Sequence, residues 1–275
     1  MKFADLHLHT IFSDGTYQPQ ELVEQARRSG LSSISVVDHD TVEGISPTLA
    51  AGRQVALEVI PGIELSADYN DTEVHILGYC IDYQNKELLE RLSLLKDNRI
   101  QRIYKMVEKL KNLGVQIEAD EVFNISAKGI VGRLHIARAL LKAGAVKSTA
   151  EAFRRYIGDK GPAYYCGFKL NPAEAINLIR KAGGIPVLAH PYTLSDDELV
   201  LEFIKEGIMG LEVYYPEHTQ SMINFYLELA QKYNLLITGG SDCHGSAKPE
   251  ARIGSLKIPY ELVEKLKSAK EKIAC

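Results

Sequence analysis

The chain contains no tryptophan, and its 275 residues include only four cysteines. Cys80, Cys166, Cys243 and Cys275 are scattered without a CxxC spacing, so neither a disulfide framework nor a cysteine-ligated zinc finger is expected. No run of about 18 apolar residues occurs, which removes a membrane-spanning helix. Blocks of like charge are missing too: 32 Lys and Arg stand against 36 Asp and Glu, a formal net charge of −4. That balance gives no electrostatic footprint for a membrane surface or for long duplex nucleic acid. Residues 1–5 lead into strand-like sequence with no apolar leader, and the cytoplasm is the expected compartment. What is present is a globular composition, 45% hydrophobic, long enough to bury a core without covalent staples.

Short β-branched or apolar runs at 3–8, 33–38, 58–65, 73–80, 185–190, 210–215 and 235–240 read as strands and alternate with helix-length amphipathic segments. One helix opens at Pro19, buries Leu22, Val23 and Ala26 and stops at Gly30, although Gln18 is a poor cap. Asn171-Pro172-Ala173-Glu174 opens another before Gly183-Gly184. Ser195-Asp196-Asp197-Glu198 opens the next, which Gly207 ends. Repeated βα units of this kind predict a mainly parallel sheet, open or closed into a barrel. One stretch departs from the alternation. A long helix is expected over about 86–113 and more helix over 133–156, with no strand between them. Residues 84–162 are therefore expected to be a helical insertion into an α/β domain made of 1–83 and 163–275.

The eight histidines are unevenly placed. His7, His9, His39, His75, His190 and His244 lie at or just past strand ends, where parallel α/β folds keep their sites. His7 and His9 are two apart on a strand and share a face, and Asp242 and His244 repeat that spacing. A lone histidine is more often a satisfied core or surface group. Imidazoles and carboxylates gathered at one barrel end are another matter, because each must find a partner, neutralise or bind metal. Carboxylates lie there too, Glu64 ending the third strand and Asp38 and Asp40 flanking His39, and mixed nitrogen and oxygen donors in such number exceed the coordination of one ion and suit a close metal pair. Such a pair can acidify a bound water and clamp phosphoryl oxygens, so phosphoester hydrolysis is the expected chemistry. Cys243 alternates away from the ligands and is read as packing. No Ser-His-Asp or Cys-His arrangement is legible.

His7-Leu8-His9, Asp14-Gly15, Asp38-His39-Asp40-Thr41, Gly62-Ile63-Glu64, His75-Ile76-Leu77-Gly78-Tyr79, Ala189-His190-Pro191 and Ser241-Asp242-Cys243-His244-Gly245 resemble, in order, the motifs of the PHP (polymerase and histidinol phosphatase) phosphoesterases. The resemblance implies a distorted (β/α)7 barrel with three divalent ions, and mixed histidine and carboxylate ligands suit manganese, iron or zinc. It implies that His7, His9, Glu64 and Asp242 hold one ion, that Glu64 bridges to a second held by His75 and His190, and that Asp14, His39 and His244 hold the third. A helical insert and the 132–138 segment (Gly-Arg-Leu-His-Ile-Ala-Arg) look like those of nucleoside 3′,5′-bisphosphate phosphatases and of ribonuclease AM-type 5′-exonucleases. The expected substrate is accordingly a small phosphorylated nucleotide that loses its 3′-phosphate by attack of metal-activated hydroxide, with short oligoribonucleotides as a second class. Arg99, Arg102, Arg133, His135 and Arg138 are candidate phosphate contacts, ahead of Lys160, since guanidinium forks grip phosphate bidentately. The competing reading of Arg99 and Arg102 is a solvated helix face, and of Arg138 a carboxylate cap. His218, after the sixth strand and before a helix capped by Thr219, is the candidate catalytic residue, as proton donor or as phosphate contact. Asp40 is read as positioning the His39 loop. Histidinol-phosphate hydrolysis within the same family and an amidohydrolase-type metal hydrolase are the alternatives. The latter leaves Asp38-His39-Asp40 and the terminal Asp-x-His pair unused. A non-enzymatic PHP module would show lost ligands, and none is lost.

Overall fold

The computed structural model describes residues 2–70, 72–126, 129–167, 170–194, 196 and 198–273. Eight strands form one sheet in the order β7-β6-β5-β4-β3-β2-β1-β8. They are β1 (Phe3–Leu8), β2 (Ser33–Val36), β3 (Glu58–Tyr69), β4 (Thr72–Tyr79), β5 (Ile185–Leu188), β6 (Gly210–Tyr214), β7 (Leu236–Gly239) and β8 (Ile258–Pro259). The sheet curls until the chain after β7 meets β1. His9 N–H donates to the Cys243 carbonyl at 3.1 Å, and Cys243 N–H donates to that of His7 at 3.4 Å. Gly240 permits this approach, because a Cβ there would lie 2.3 Å from the His7 backbone nitrogen. The result is a nearly closed α/β barrel.

All seven expected strands form, with β8 in addition. The expectation of a mainly parallel sheet needs one correction. Pairs β1–β2, β2–β3, β5–β6 and β6–β7 are parallel; the added β8 pairs antiparallel with β1, and among the expected strands β4 runs antiparallel to both its neighbours. The cause is local: β3 continues to Tyr69 and reverses through Asn70, whose φ of 52° is one that asparagine tolerates in tight turns. The reversal sets Tyr69 opposite Thr72 and Ser66 opposite His75. His75 thus reaches the barrel's active end from the amino-terminal half of its strand.

Helices α1 (Pro19–Arg28), α2 (Ile45–Gln54), α8 (Glu198–Glu206) and α9 (Gln220–Lys232) connect the parallel strands. Glu21 compensates for the weak cap at Gln18 by accepting the Gln18 N–H at 3.0 Å. At α7 (Pro172–Lys181) Asn171 and Glu174 exchange both bonds of a capping box, at 2.8 and 2.9 Å. Of the residues expected to open α8, Ser195 and Asp197 lie outside the described residues, while Asp196 accepts the Glu198 N–H at 2.9 Å.

Between β4 and α7 the chain is helical: α3 (Lys86–Asn112), α4 (Ala119–Ser126), α5 (Arg133–Lys142) and α6 (Thr149–Ala152), the last running into a π-helical turn at Phe153–Ile157. These elements bury an apolar cluster of their own that includes Ile103, Met106, Leu110, Val122, Ile136 and Leu140. They are pinned to the loop after β1, where Ile130 N–H donates to the Phe12 carbonyl at 2.8 Å. A Cβ on Gly129 would lie 2.4 Å from the Ile11 carbonyl oxygen, so only glycine permits this seat. The same loop carries Asp14. α10 (Glu261–Ile273) closes the fold, with Val263 and Leu266 packed under the barrel.

Candidate active site

Alternation along β1 sends Asp5, His7 and His9 to one face, and all three are fully buried. Asp5 stitches β1 to the loop after β7, accepting from Ser241 N–H (2.9 Å), Ser241 hydroxyl (2.7 Å) and Gly254 N–H (2.9 Å). Burial pushes its carboxyl up to about 6 despite these bonds. The loop it holds delivers Asp242 in a left-handed conformation (φ 53°). Asp40 (φ 50°) and His190 (φ 25°) are also left-handed, an arrangement that concentrates backbone strain at this end of the barrel.

Glu64 is the hub. Its Oε2 lies 3.2 Å from His7 Nε2, 3.2 Å from His9 Nε2 and 3.4 Å from His39 Nδ1. Its Oε1 lies 2.8 Å from His75 Nδ1 and 3.2 Å from His190 Nε2. Asp242 Oδ1 faces His7 and His9 at 3.3 and 3.2 Å, and Asp14 Oδ1 faces His244 Nε2 at 3.2 Å. All nine residues that the sequence marks as metal ligands converge on this space. Eight fall into three groups whose donor atoms lie within 4.8 Å of one another: His9, Asp14, His39 and His244; His7, His9 and Asp242; and His39, Glu64 and His75. His190 Nε2 sits 3.3 Å from His75 Nδ1.

The donors fit divalent cations. Both ring nitrogens of His9, Nδ1 of His39 and Oδ1 of Asp14 are buried without a hydrogen-bond partner, an arrangement costly to keep unless a cation takes it up. Imidazole and carboxylate are the donor types of borderline divalent metals. Where no metal neutralises the carboxylates, protons on the imidazoles do so. Burial disfavours the charge on His9, yet Asp242 and Glu64 outweigh it and push the ring up to about 10. Glu64 and Glu73 likewise outweigh burial at His75, up to about 9. Burial wins at His39, which falls to about 4. Burial would raise Glu64, but His39, His7 and His75 hold it well below the usual carboxylate range.

A further row of residues, given no role by the sequence reading, fixes the donors. Glu212 Oε1 meets His7 Nδ1 at 2.8 Å while Oε2 accepts the His190 backbone N–H at 2.8 Å. Glu73 Oε1 meets His75 Nε2 at 3.0 Å. In both pairs the carboxylate fixes the tautomer that turns the other nitrogen toward the hub. Asp38 accepts from Thr10 N–H and hydroxyl and from the Ser13 hydroxyl, shaping the Asp14 loop. Asp242 Oδ2 accepts from Tyr215 (2.7 Å) and Lys248 (2.8 Å), which leaves Oδ1 for the site. Signals for some were present: Asp5 and Glu73 lie two residues before a site histidine, and Glu212 is a lone carboxylate in an apolar strand. Nothing local marks Lys248.

The helical layer brings its cations to the same end. Arg99 bonds Asp40 Oδ2 (2.7 Å), Ser66 Oγ (2.8 Å) and the Val131 carbonyl (3.3 Å). Asp40 in turn accepts the Ser66 N–H at 2.9 Å and donates its own N–H to the Glu64 carbonyl at 2.9 Å. Arg102 donates to the Tyr165 carbonyl at 2.7 Å and reaches Glu73 Oε2 at 3.4 Å. Arg133 pairs with Glu73 Oε1 at 2.9 Å and with Asp159. Arg138 is half-buried and has neither hydrogen bond nor ion pair among the described residues, and Asp14 is the charge that acts on it. Its helical neighbour His135 accepts the Gly132 N–H on Nδ1 at 3.0 Å, which places its proton on Nε2, and burial holds it neutral at about 4. Lys160 is exposed. His218 donates Nδ1–H to the Val213 carbonyl at 2.8 Å, and its buried Nε2 has no partner. The Tyr192, Tyr215 and Tyr226 rings surround it at 5.1 to 5.4 Å.

A PHP domain model matches residues 5–162. A 5′-3′ exoribonuclease of Haemophilus influenzae is 32% identical over 88% of this chain and 90% of its own length. A 3′,5′-nucleoside bisphosphate phosphatase of Chromobacterium violaceum is 28% identical over 92% of this chain and 91% of its own. A solved structure from Bifidobacterium adolescentis, described as a candidate metal-dependent phosphoesterase, superimposes with a TM-score of 0.89 at 32% identity, covering 96% of this chain and 95% of that one. Among the described residues no helix is long and apolar enough to cross a membrane.

Proposed function

The chain belongs to the PHP-domain family, and from that premise we propose a metal-dependent phosphoesterase that removes the 3′-phosphate of nucleoside 3′,5′-bisphosphates in the cytoplasm. Short oligoribonucleotides, trimmed from the 5′ end, are its second substrate class. The observation that carries the reading is the convergence of nine nitrogen and oxygen donors beside a layer of guanidinium groups. Such a pairing suits a substrate with one phosphate to cleave and another to hold.

Three divalent ions, of manganese, iron or zinc, would be held by His7, His9, Glu64 and Asp242, by Glu64, His75 and His190, and by Asp14, His39 and His244. When bound they would supply a water acidic enough to ionise near neutral pH and neutralise charge on the phosphoryl oxygens. The protein's own groups orient the substrate. Arg138, without a hydrogen bond or ion pair among the described residues, and His135, with its proton on Nε2, form a donor pair beside Asp14 for phosphoryl oxygens. Arg102 and Arg133 take the second phosphate. Arg99, held by Asp40, Ser66 and the Val131 carbonyl, acts as a strut for the His39 loop rather than as a grip. His218 is a substrate contact: with Nδ1–H committed to Val213 and burial holding the ring neutral, Nε2 accepts a hydrogen bond and is no proton donor. The donor set exceeds the one or two ions of an amidohydrolase-type site, which favours phosphoester over C–N cleavage.

The test is phosphate release from adenosine 3′,5′-bisphosphate with added manganese, beside histidinol phosphate, p-nitrophenyl phosphate and a dipeptide. Preferential turnover of the bisphosphate is expected. Equal or better turnover of histidinol phosphate, or cleavage of the dipeptide alone, would overturn the assignment.

A further inference from the structure

Glu73 stands where the two layers of the site meet. It shares a face of β4 with His75, two residues on, and its Oε1 meets both His75 Nε2 (3.0 Å) and Arg133 Nη2 (2.9 Å). Its Oε2 meets Arg102 Nη2 at 3.4 Å. The side chains of Glu73, Arg102 and Arg133 are all largely buried, and both guanidinium carbons lie 5.4 Å from the Tyr164 ring. Two like charges are thus stacked on one ring with a carboxylate between them. Burial, together with repulsion from Arg133 and Arg99, lowers the affinity of Arg102 for its own proton, and Glu73 opposes that. The Nη1 of Arg102 has no bonded partner among the described residues. A phosphate offers more charge and more acceptor oxygens than a carboxylate, and this is a position where two forks can grip it.

We propose that Glu73 is a positioning residue with two linked roles, an internal anion that fills the Arg102–Arg133 site until a substrate phosphate displaces it, and the tether that sets the His75 tautomer for metal. This rests on the reading that the second phosphate sits at Arg102 and Arg133. Once that phosphate takes the guanidinium groups, Glu73 keeps His75 as its partner and accepts its Nε2–H more strongly. Metal and distal phosphate then reinforce each other's binding, as linkage requires.

The experiment compares Glu73→Gln and Asp159→Asn with the parent protein by calorimetry. One titration adds adenosine 5′-monophosphate to metal-free protein, and a second adds manganese without nucleotide. In Glu73→Gln the nucleotide is expected to bind about fivefold tighter and manganese about tenfold weaker, opposite shifts from one substitution. Asp159→Asn frees Arg133 without touching His75, so the nucleotide tightens and manganese is unchanged. Weakening of both ligands in Glu73→Gln, as a damaged fold would give, overturns the proposal, as does an unchanged nucleotide affinity. Failure of the parent to hydrolyse the bisphosphate would instead count against the proposed function, since these titrations involve no turnover.

Discussion

At the barrel end, nine donors face one another, and three of their nitrogens and one oxygen have no hydrogen-bond partner among the described residues. In the helical layer beside it, three of the four candidate arginines, Arg99, Arg102 and Arg133 but not Arg138, are bonded to carboxylates and carbonyls. The first region turns its donors toward one another, and the second is largely closed on itself. The difference teaches which residues to read as functional. An unpaired buried donor points to a ligand, whereas a paired arginine is a strut, as Arg99 is, unless a substrate phosphate can displace its carboxylate, as proposed at Arg102 and Arg133.

The comparison breaks most severely if the barrel-end donors are not ligands. Asp242→Asn, or His9→Ala, should abolish metal retention and lower phosphate release by more than about 100-fold, beyond what loss of a supporting partner gives. Metal content by mass spectrometry on the same samples checks it, and full retention would show the cluster to be structural. Next in size is the contrast between two arginines. Arg99→Ala leaves Asp40 buried without its cation and should cost about 3 kcal/mol of stability, read by denaturant melts. Arg138→Ala should leave stability unchanged and raise KM about tenfold. A reversed pattern would exchange the roles of strut and grip.

The smallest effect is in pH. His9 and His75, raised to about 10 and about 9 in the metal-free protein, supply stability that is complete below the unfolded value of 6.5 and lost as pH rises through 9 and then 10. His39, lowered to about 4, works in the opposite sense, and stability falls as pH drops below 6.5. Glu64, Asp14 and Asp242, held well below their ordinary values, add stability that is present above about pH 4 and lost in stronger acid. Thermal melts in chelator should therefore peak near pH 6.5 and decline on both sides. Metal, which needs neutral imidazoles, should bind more tightly as pH rises and release protons as it does so.

Much of this was legible because strand ends are short and periodic. The HxH and DxH pairs need only the two-residue period of a strand to share a face, and the seven strands were marked by their apolar runs. The direction of β4 was not legible because the apolar run marks β3 only to residue 65, whereas the strand continues to Tyr69 and reverses at Asn70. Arginine pairing was illegible for another reason: a long side chain reaches partners such as Asp40 and Glu73 that lie 59 and 29 residues away, and no local spacing encodes that. Glu212 and Asp38 could have been found by asking why a carboxylate interrupts or ends an apolar strand. Lys248 could not.

Phosphorus NMR of the products formed from adenosine 3′,5′-bisphosphate by the manganese-loaded protein tests the central claim most directly. Inorganic phosphate with adenosine 5′-monophosphate is the predicted outcome, with the retained phosphate at the arginine layer and the cleaved one at the nine donors. Accumulation of adenosine 3′-monophosphate, or an unchanged substrate in protein shown to hold its metal, would contradict it.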